Sequence, residues 1–148
     1  MIIKCFSLTE PWASAMRLNL KRNETRDRRT NYRGWLAIAS TKQQFDYTKY
    51  NSNWNAYLQS LGILSKLIYG KVHCIVKLQS CIPTEQYVVS ALNYNERMFG
   101  DYGPNRHVWE TDSLIVLPEP VPVQGKQWLF DWKVPEQYQH FLKRSNDD

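Results

Sequence analysis

Lys21-Arg22-Asn23-Glu24-Thr25-Arg26-Asp27-Arg28-Arg29-Thr30-Asn31-Tyr32-Arg33-Gly34 is a charged segment set between two apolar runs. Pro11-Trp12-Ala13-Ser14-Ala15-Met16 lies upstream and Trp35-Leu36-Ala37-Ile38-Ala39 downstream. Both flanks have to be buried, so a folded chain holds the charged stretch between two core elements, as functional side chains are held. By period two, Arg22, Glu24 and Arg26 share one face of a strand over Arg22–Arg26 and Lys21, Asn23 and Thr25 the other. Lys21 and Glu24 then diverge. They meet only if Lys21 belongs to the turn before the strand, or if a bulge re-aims it.

A polar turn from Asp27 to Asn31 leads into a strand from Tyr32 through Ala39. Upstream, Ile2 to Ser7 reads as a first strand. Thr9 and Glu10 can cap a helix with Pro11 in its early turn and an apolar stripe of Trp12, Ala13, Met16 and Leu20. Asn19 tolerates left-handed geometry and marks the helix end.

Beyond the second strand, Ser40 to Asn53 reads as a loop. Trp54, Tyr57, Leu58, Leu61, Leu64 and Leu67-Ile68 repeat at helical spacing across a tolerated Gly62, which predicts a second helix. Val72, Cys74, Val76 and Leu78 alternate with His73, Lys77 and Gln79 to Ile82, as in a half-buried strand. Pro83-Thr84 opens a short helix with Tyr87, Val88, Ala91 and Leu92, and residues 99–106 are turn-rich. A strand follows from Arg106 to Leu117. The segment Pro118-Glu119-Pro120-Val121-Pro122 is extended but unable to sit centrally in a sheet. Gln127 to Trp132 gives a last strand, and a terminal helix runs from Pro135 to about residue 143. Strands with interspersed helices and no regular βαβ alternation predict a compact α+β domain or small barrel.

A length of 148 residues suits a single domain. No apolar run reaches the ~20 residues of a membrane span, and Lys4, Glu10 and Pro11 interrupt any signal-peptide pattern, so the expected location is cytoplasmic. Cys5, Cys74 and Cys81 form no Cys-x-x-Cys pair, and His73, His107 and His140 are scattered, so neither a metal nor another cofactor is expected. Residues 1–42 hold nine of the 19 Lys and Arg and three of the 14 Asp and Glu, a net of +6, which leaves −1 for the remainder. Seven of these cations (Arg17, Lys21, Arg22, Arg26, Arg28, Arg29 and Arg33) fall within seventeen residues. Such a cluster suits a phosphate-bearing partner or a solvated basic face.

Several segments together resemble the ASCH domains (activating signal cointegrator homology) of the PUA-like superfamily. Ser7-Leu8-Thr9-Glu10-Pro11-Trp12-Ala13 is similar to the family's opening. Lys21-x-x-Glu24-x-Arg26 resembles its signature, and Tyr32-Arg33-Gly34 the lead into its next strand. Phe99-Gly100-Asp101-Tyr102, Trp109 and Leu117–Pro122 with Gly125 resemble its closing half. Order and spacing agree over about residues 3–132. Asn19 stands where the family usually has a glycine, and Trp128 alters the late segment.

The resemblance implies a PUA-like small mixed β-barrel with flanking helices and a cleft lined by the Lys-x-x-Glu-x-Arg segment. It implies binding of RNA, DNA or a modified nucleobase. One small branch of the family hydrolyses N4-acetylcytidine, and a ribonuclease activity has been described in another; the first carries a threonine where Glu24 stands here.

From the residues themselves, Arg17, Arg22, Arg28, Arg29 and Arg33 can neutralise phosphates, and Trp12, Tyr32 or Trp109 can stack on an unpaired base, with core packing the commoner role for Trp109. Glu24 can accept from an exocyclic amino group. Catalysis would draw on Lys21 and Glu24, with Arg26, Tyr32 and His107 as further candidates. The expected partner is RNA or another nucleic acid, or a modified nucleoside. A small hydrolase and a protein-interaction module are the alternatives.

Overall fold

The computed structural model describes residues 1–146. Six strands form one open mixed sheet: β1 (Ile2–Leu8), β2 (Asn23–Arg26), β3 (Gly34–Ser40), β4 (Lys71–Pro83), β5 (His107–Pro122) and β6 (Phe130–Lys133). Their order across the sheet is β2-β5-β4-β3-β1-β6. β1 and β3 run parallel and the other neighbours antiparallel. Among the described residues four α-helices accompany them: α1 (Trp12–Arg17), α2 (Ser52–Ser60), α3 (Tyr94–Met98) and α4 (Glu136–Asn146). Among the described residues no helix is long and apolar enough to cross a membrane.

β3 shows why the sheet is central. Its residues alternate between two cores, with Trp35, Ala37 and Ala39 facing the side of α4 and Leu36 and Ile38 the side of α1. Burying a side chain such as Leu36 or Ile38 contributes about 1.5–3 kcal/mol, so both faces are fixed and the register cannot slip. α4 closes one face with Tyr138 and Leu142, one helical turn apart. α1 closes the other with Ala13 and Met16, while Ala15 turns to a third cluster with Leu58, Ile63 and Phe99.

Five sequence expectations change. Over Val72–Val76 β4 is buried on both sides rather than half-buried, while beyond it Leu78 is buried and Gln79 exposed as expected. His73 is fully buried, and the register shifts between Val72 and Cys74. That bulge sends Val72 to the α4 core and leaves Cys74, Val76 and Leu78 in the other. The second helix stops at Ser60, because Gly62 adopts φ +67 and a 3-10 turn, Ile63–Lys66, takes over. The Pro118–Pro122 segment belongs to β5 and pairs with β4, Val121 opposite Val72 and Pro122 opposite Lys71. Its prolines are tolerated because β2 flanks β5 only from His107 to Glu110, so the far side of the later stretch is an edge. Residues 84–91 form two 3-10 turns instead of a helix, and the last strand starts at Phe130, after Trp128 at φ +65.

Candidate ligand cleft

Asn19 ends α1 in the left-handed conformation, φ +61, as its side chain allows. Leu20 and Lys21 follow in a turn, and β2 begins only at Asn23. Lys21 is therefore freed from the strand alternation and folds toward Glu24. Its Nζ donates to Glu24 Oε1 at 3.0 Å and to the carbonyl oxygen of Asn23, with the lysine side chain wholly buried. Glu24 Oε1 also accepts from the Thr25 amide at 3.1 Å. Oε2 accepts no hydrogen bond among the described residues, and Arg26 Nη1 lies 3.9 Å from it.

Glu24 lies in the lining of a cleft of about 390 Å³ between the end of β1, β2, α1 and the loop after α3. Trp12, Arg26, Phe99, Asp101 and Arg106 line it too. Trp12 is backed by Trp54, ring centroids 6.0 Å apart and nearly parallel. Arg26 lays its guanidinium over the Phe6 ring at 4.9 Å, while its buried Nε has no hydrogen-bond partner among the described residues. Arg106 is fixed by hydrogen bonds from Nε to the Asp101 carbonyl and from Nη2 to the Thr25 carbonyl, both 3.0 Å. Lys21 does not reach the cleft surface and sits behind Glu24.

The wall of the cleft is set by α3. Asn93 caps the helix by accepting from the Glu96 amide at 2.8 Å. The buried Glu96 carboxylate accepts from the amides of Arg22 and Asn23, which moors β2. Asn23 in turn donates to the hydroxyls of Tyr87 and Tyr102, two stacked rings whose phenols burial shifts upward in pKa. Gly100 is required where it stands, since a Cβ there would lie 2.5 Å from the Tyr102 ring. Thr25 Oγ1 accepts from the Asp101 amide and ties this loop to β2.

The other candidates are spread out. Arg17 turns away from the cleft, donating through Nη2 to the Lys66 carbonyl and through Nε to His73 Nδ1. The Tyr32 hydroxyl donates to the Trp35 carbonyl and packs beside the α1 core, so it serves the fold. His107 is opposite Arg26 in the β2–β5 ladder, outside the cleft lining, with its buried Nδ1 unpartnered among the described residues. Arg22 and Arg29 are exposed and reach the neighbouring Asn19 and Asn31. Arg28 stacks on Trp128 at 3.4 Å, and Arg33 donates to the carbonyls of Thr30 and Tyr32. Of the predicted residues, the cleft thus gathers Trp12, Glu24 and Arg26, with Lys21 behind. Sequence reasoning assigned no ligand role to Thr25, Phe99, Asp101 or Arg106. The turn-rich segment 99–106 is the signal for Phe99, Asp101 and Arg106, and Thr25 has none beyond its place next to Glu24.

The chain matches no protein-family model and no curated protein.

Proposed function

We propose that this chain is an ASCH-type, PUA-like domain that binds RNA or a modified nucleobase in the cleft containing Glu24. One observation carries the reading: a carboxylate anchored through Oε1 by a buried lysine, with Oε2 left for a donor at the cleft surface. An exocyclic amino group is such a donor. Trp12 supplies a flat face beside it, and Arg26 and Arg106 supply positive charge at the rim. The barrel belongs to the same reading. It is supported by long β4 and β5, whose three register shifts curve a sheet. Cytoplasmic location also belongs to it, in keeping with three free cysteines.

The test is Glu24→Gln, which keeps Oε1 for Lys21 but replaces Oε2 with an amide that repels an amino group. Binding of short oligocytidylate should weaken by roughly tenfold or more, as when a hydrogen bond to a charged group is lost. Oligouridylate binding should change little. Equal binding of both oligomers by wild type and variant would refute base recognition by Glu24.

The convergence of Lys21 and Glu24 favours a second reading, a small hydrolase of N4-acetylcytidine or RNA. In it Glu24 Oε2 takes a proton from the attacking water or hydroxyl, and Lys21 is a positioning residue because it does not reach the cleft. Release of acetate or cleavage of labelled RNA that disappears in Glu24→Gln would establish this reading, and no turnover by wild type would exclude it.

A further inference from the structure

A second concavity, about 430 Å³, adjoins the first at the carboxyl ends of the parallel strands β1 and β3. Ser7 and Thr41 line both. Their chemistry differs. The first holds carboxylates, arginines and aromatic walls, whereas the second presents Lys42 and Lys126 and no acidic side chain. Neither lysine has an ion-pair partner among the described residues. Lys42 lays its aliphatic stem on Gly70, where an added Cβ would lie 3.1 Å from Lys42 Cγ. Gly125 approaches so closely that an added Cβ would be 3.2 Å from Ser7 Oγ.

Ser7 Oγ points to a ligand. It is buried on the divide and has no hydrogen-bond partner among the described residues, although buried polar atoms are nearly always satisfied. A phosphate oxygen would accept its proton, and a ribose hydroxyl could donate to it.

We propose that the second concavity is a phosphodiester subsite, with Lys42 and Lys126 as its cations and Ser7 as the hydrogen-bonding group on the divide. The ligand of the first cleft is then a nucleotide within a single strand, its base beside Glu24 and Trp12 and its backbone passing over Ser7 toward the two lysines. This rests on the base-binding reading of the first cleft.

Calorimetric titration with cytidine, cytidine 5′- and 3′-monophosphate and tetracytidylate tests it, comparing wild type with Lys42→Ala/Lys126→Ala. Wild type should bind tetracytidylate about tenfold or more tighter than cytidine, as expected of added phosphate contacts. The double variant should lose that advantage, and its log K against log salt slope should fall by about 1.4, from ~0.7 per contact on a single strand. Cytidine binding should not change. Lysine-independent tetranucleotide binding would overturn the subsite alone, since Glu24→Gln still reports on the first cleft. A monophosphate that matches tetracytidylate would overturn the strand and leave a terminal-phosphate site. Absence of any wild-type binding would overturn both readings. Lysine-dependent binding that Glu24→Gln leaves intact would keep the subsite and remove base recognition.

Discussion

Lys21 and Glu24 form an ion pair with both side chains largely out of solvent, 0% and 11% exposed. Removing one partner of such a pair strands the other and costs about 3–5 kcal/mol, so the pair's main contribution is to fix where a negative charge stands. Its existence was half legible in the sequence. Strand alternation sends Lys21 and Glu24 to opposite faces, and only the late start of β2, at Asn23, resolves the conflict. The roles of Arg17 and Tyr32 were not legible, because a cation or phenol that ends on a backbone carbonyl gives no sequence signal distinct from one that binds a ligand.

His73 gives the prediction proper to this scale. Arg17 Nε donates to its Nδ1, so the ring hydrogen is on Nε2, facing Ser40 Oγ at 2.9 Å and the Ile68 carbonyl at 3.0 Å. Burial above all, with the Arg17 charge adding to it and the Ile68 hydrogen bond opposing, pushes its pKa down to about 4. As pH falls below the unfolded value near 6.5, the unfolded chain takes up a proton that the folded chain refuses, and stability drops until about pH 4. Between pH 7 and 5 the loss should be about 2 kcal/mol. The nearby Glu10 carboxyl, raised by burial, acts in the opposite sense at the lower end, where the folded chain holds the extra proton. Urea midpoints at pH 7 and 5 check this: wild type should shift, and His73→Gln should shift less. Parallel shifts in both proteins would remove His73 as the cause.

Elements were legible where period and punctuation agree. β1, α1 with its Asn19 terminus, and β3 follow the expected pattern because their apolar positions face cores that the chain itself supplies. α3 was missed, since its five residues complete little more than one turn and carry no apolar stripe. It forms because Asn93 caps it and because Glu96 has two amides to accept from. Asn93→Ala should therefore cost about 1 kcal/mol in chemical denaturation, as a lost cap does. It should also weaken ligand binding, because Glu96 holds Arg22 and Asn23 at the root of the cleft. A variant equally stable and equally tight in binding would show that α3 does not hold that wall. The bulge at His73 and the reach of β5 through three prolines were hidden for a different reason: both depend on which strand lies alongside.

For the whole molecule, the basic excess read from residues 1–42 is divided between structure and surface. Arg17 and Lys21 are engaged internally, which leaves Arg28 and Arg29 exposed on the connection leaving β2. They contribute to the field around the cleft without touching Glu24. Arg28→Ala/Arg29→Ala should lower the slope of log K against log salt for single-stranded RNA, by up to ~0.7 per contact. Preference for oligocytidylate over oligouridylate should stay the same, and a changed preference would mean that these arginines touch bases. Loss of the Arg28 stack on Trp128 should cost about 0.5–1 kcal/mol of stability.

The position of β1 between β3 and β6 also bears on the chain's biogenesis. Ile2 pairs with Lys133, so the outer edge of β1 stays bare until β6 is translated. From residue 8 to residue 133, at about 5–20 residues per second, that is roughly 6–25 s on the ribosome. An unpaired apolar edge is an aggregation template, and a lysine within it is a known guard. Lys4 stands in the middle of β1, and when Asp131 arrives opposite, its ammonium closes on that carboxylate at 2.6 Å. One side chain thus shields the nascent edge and later latches it.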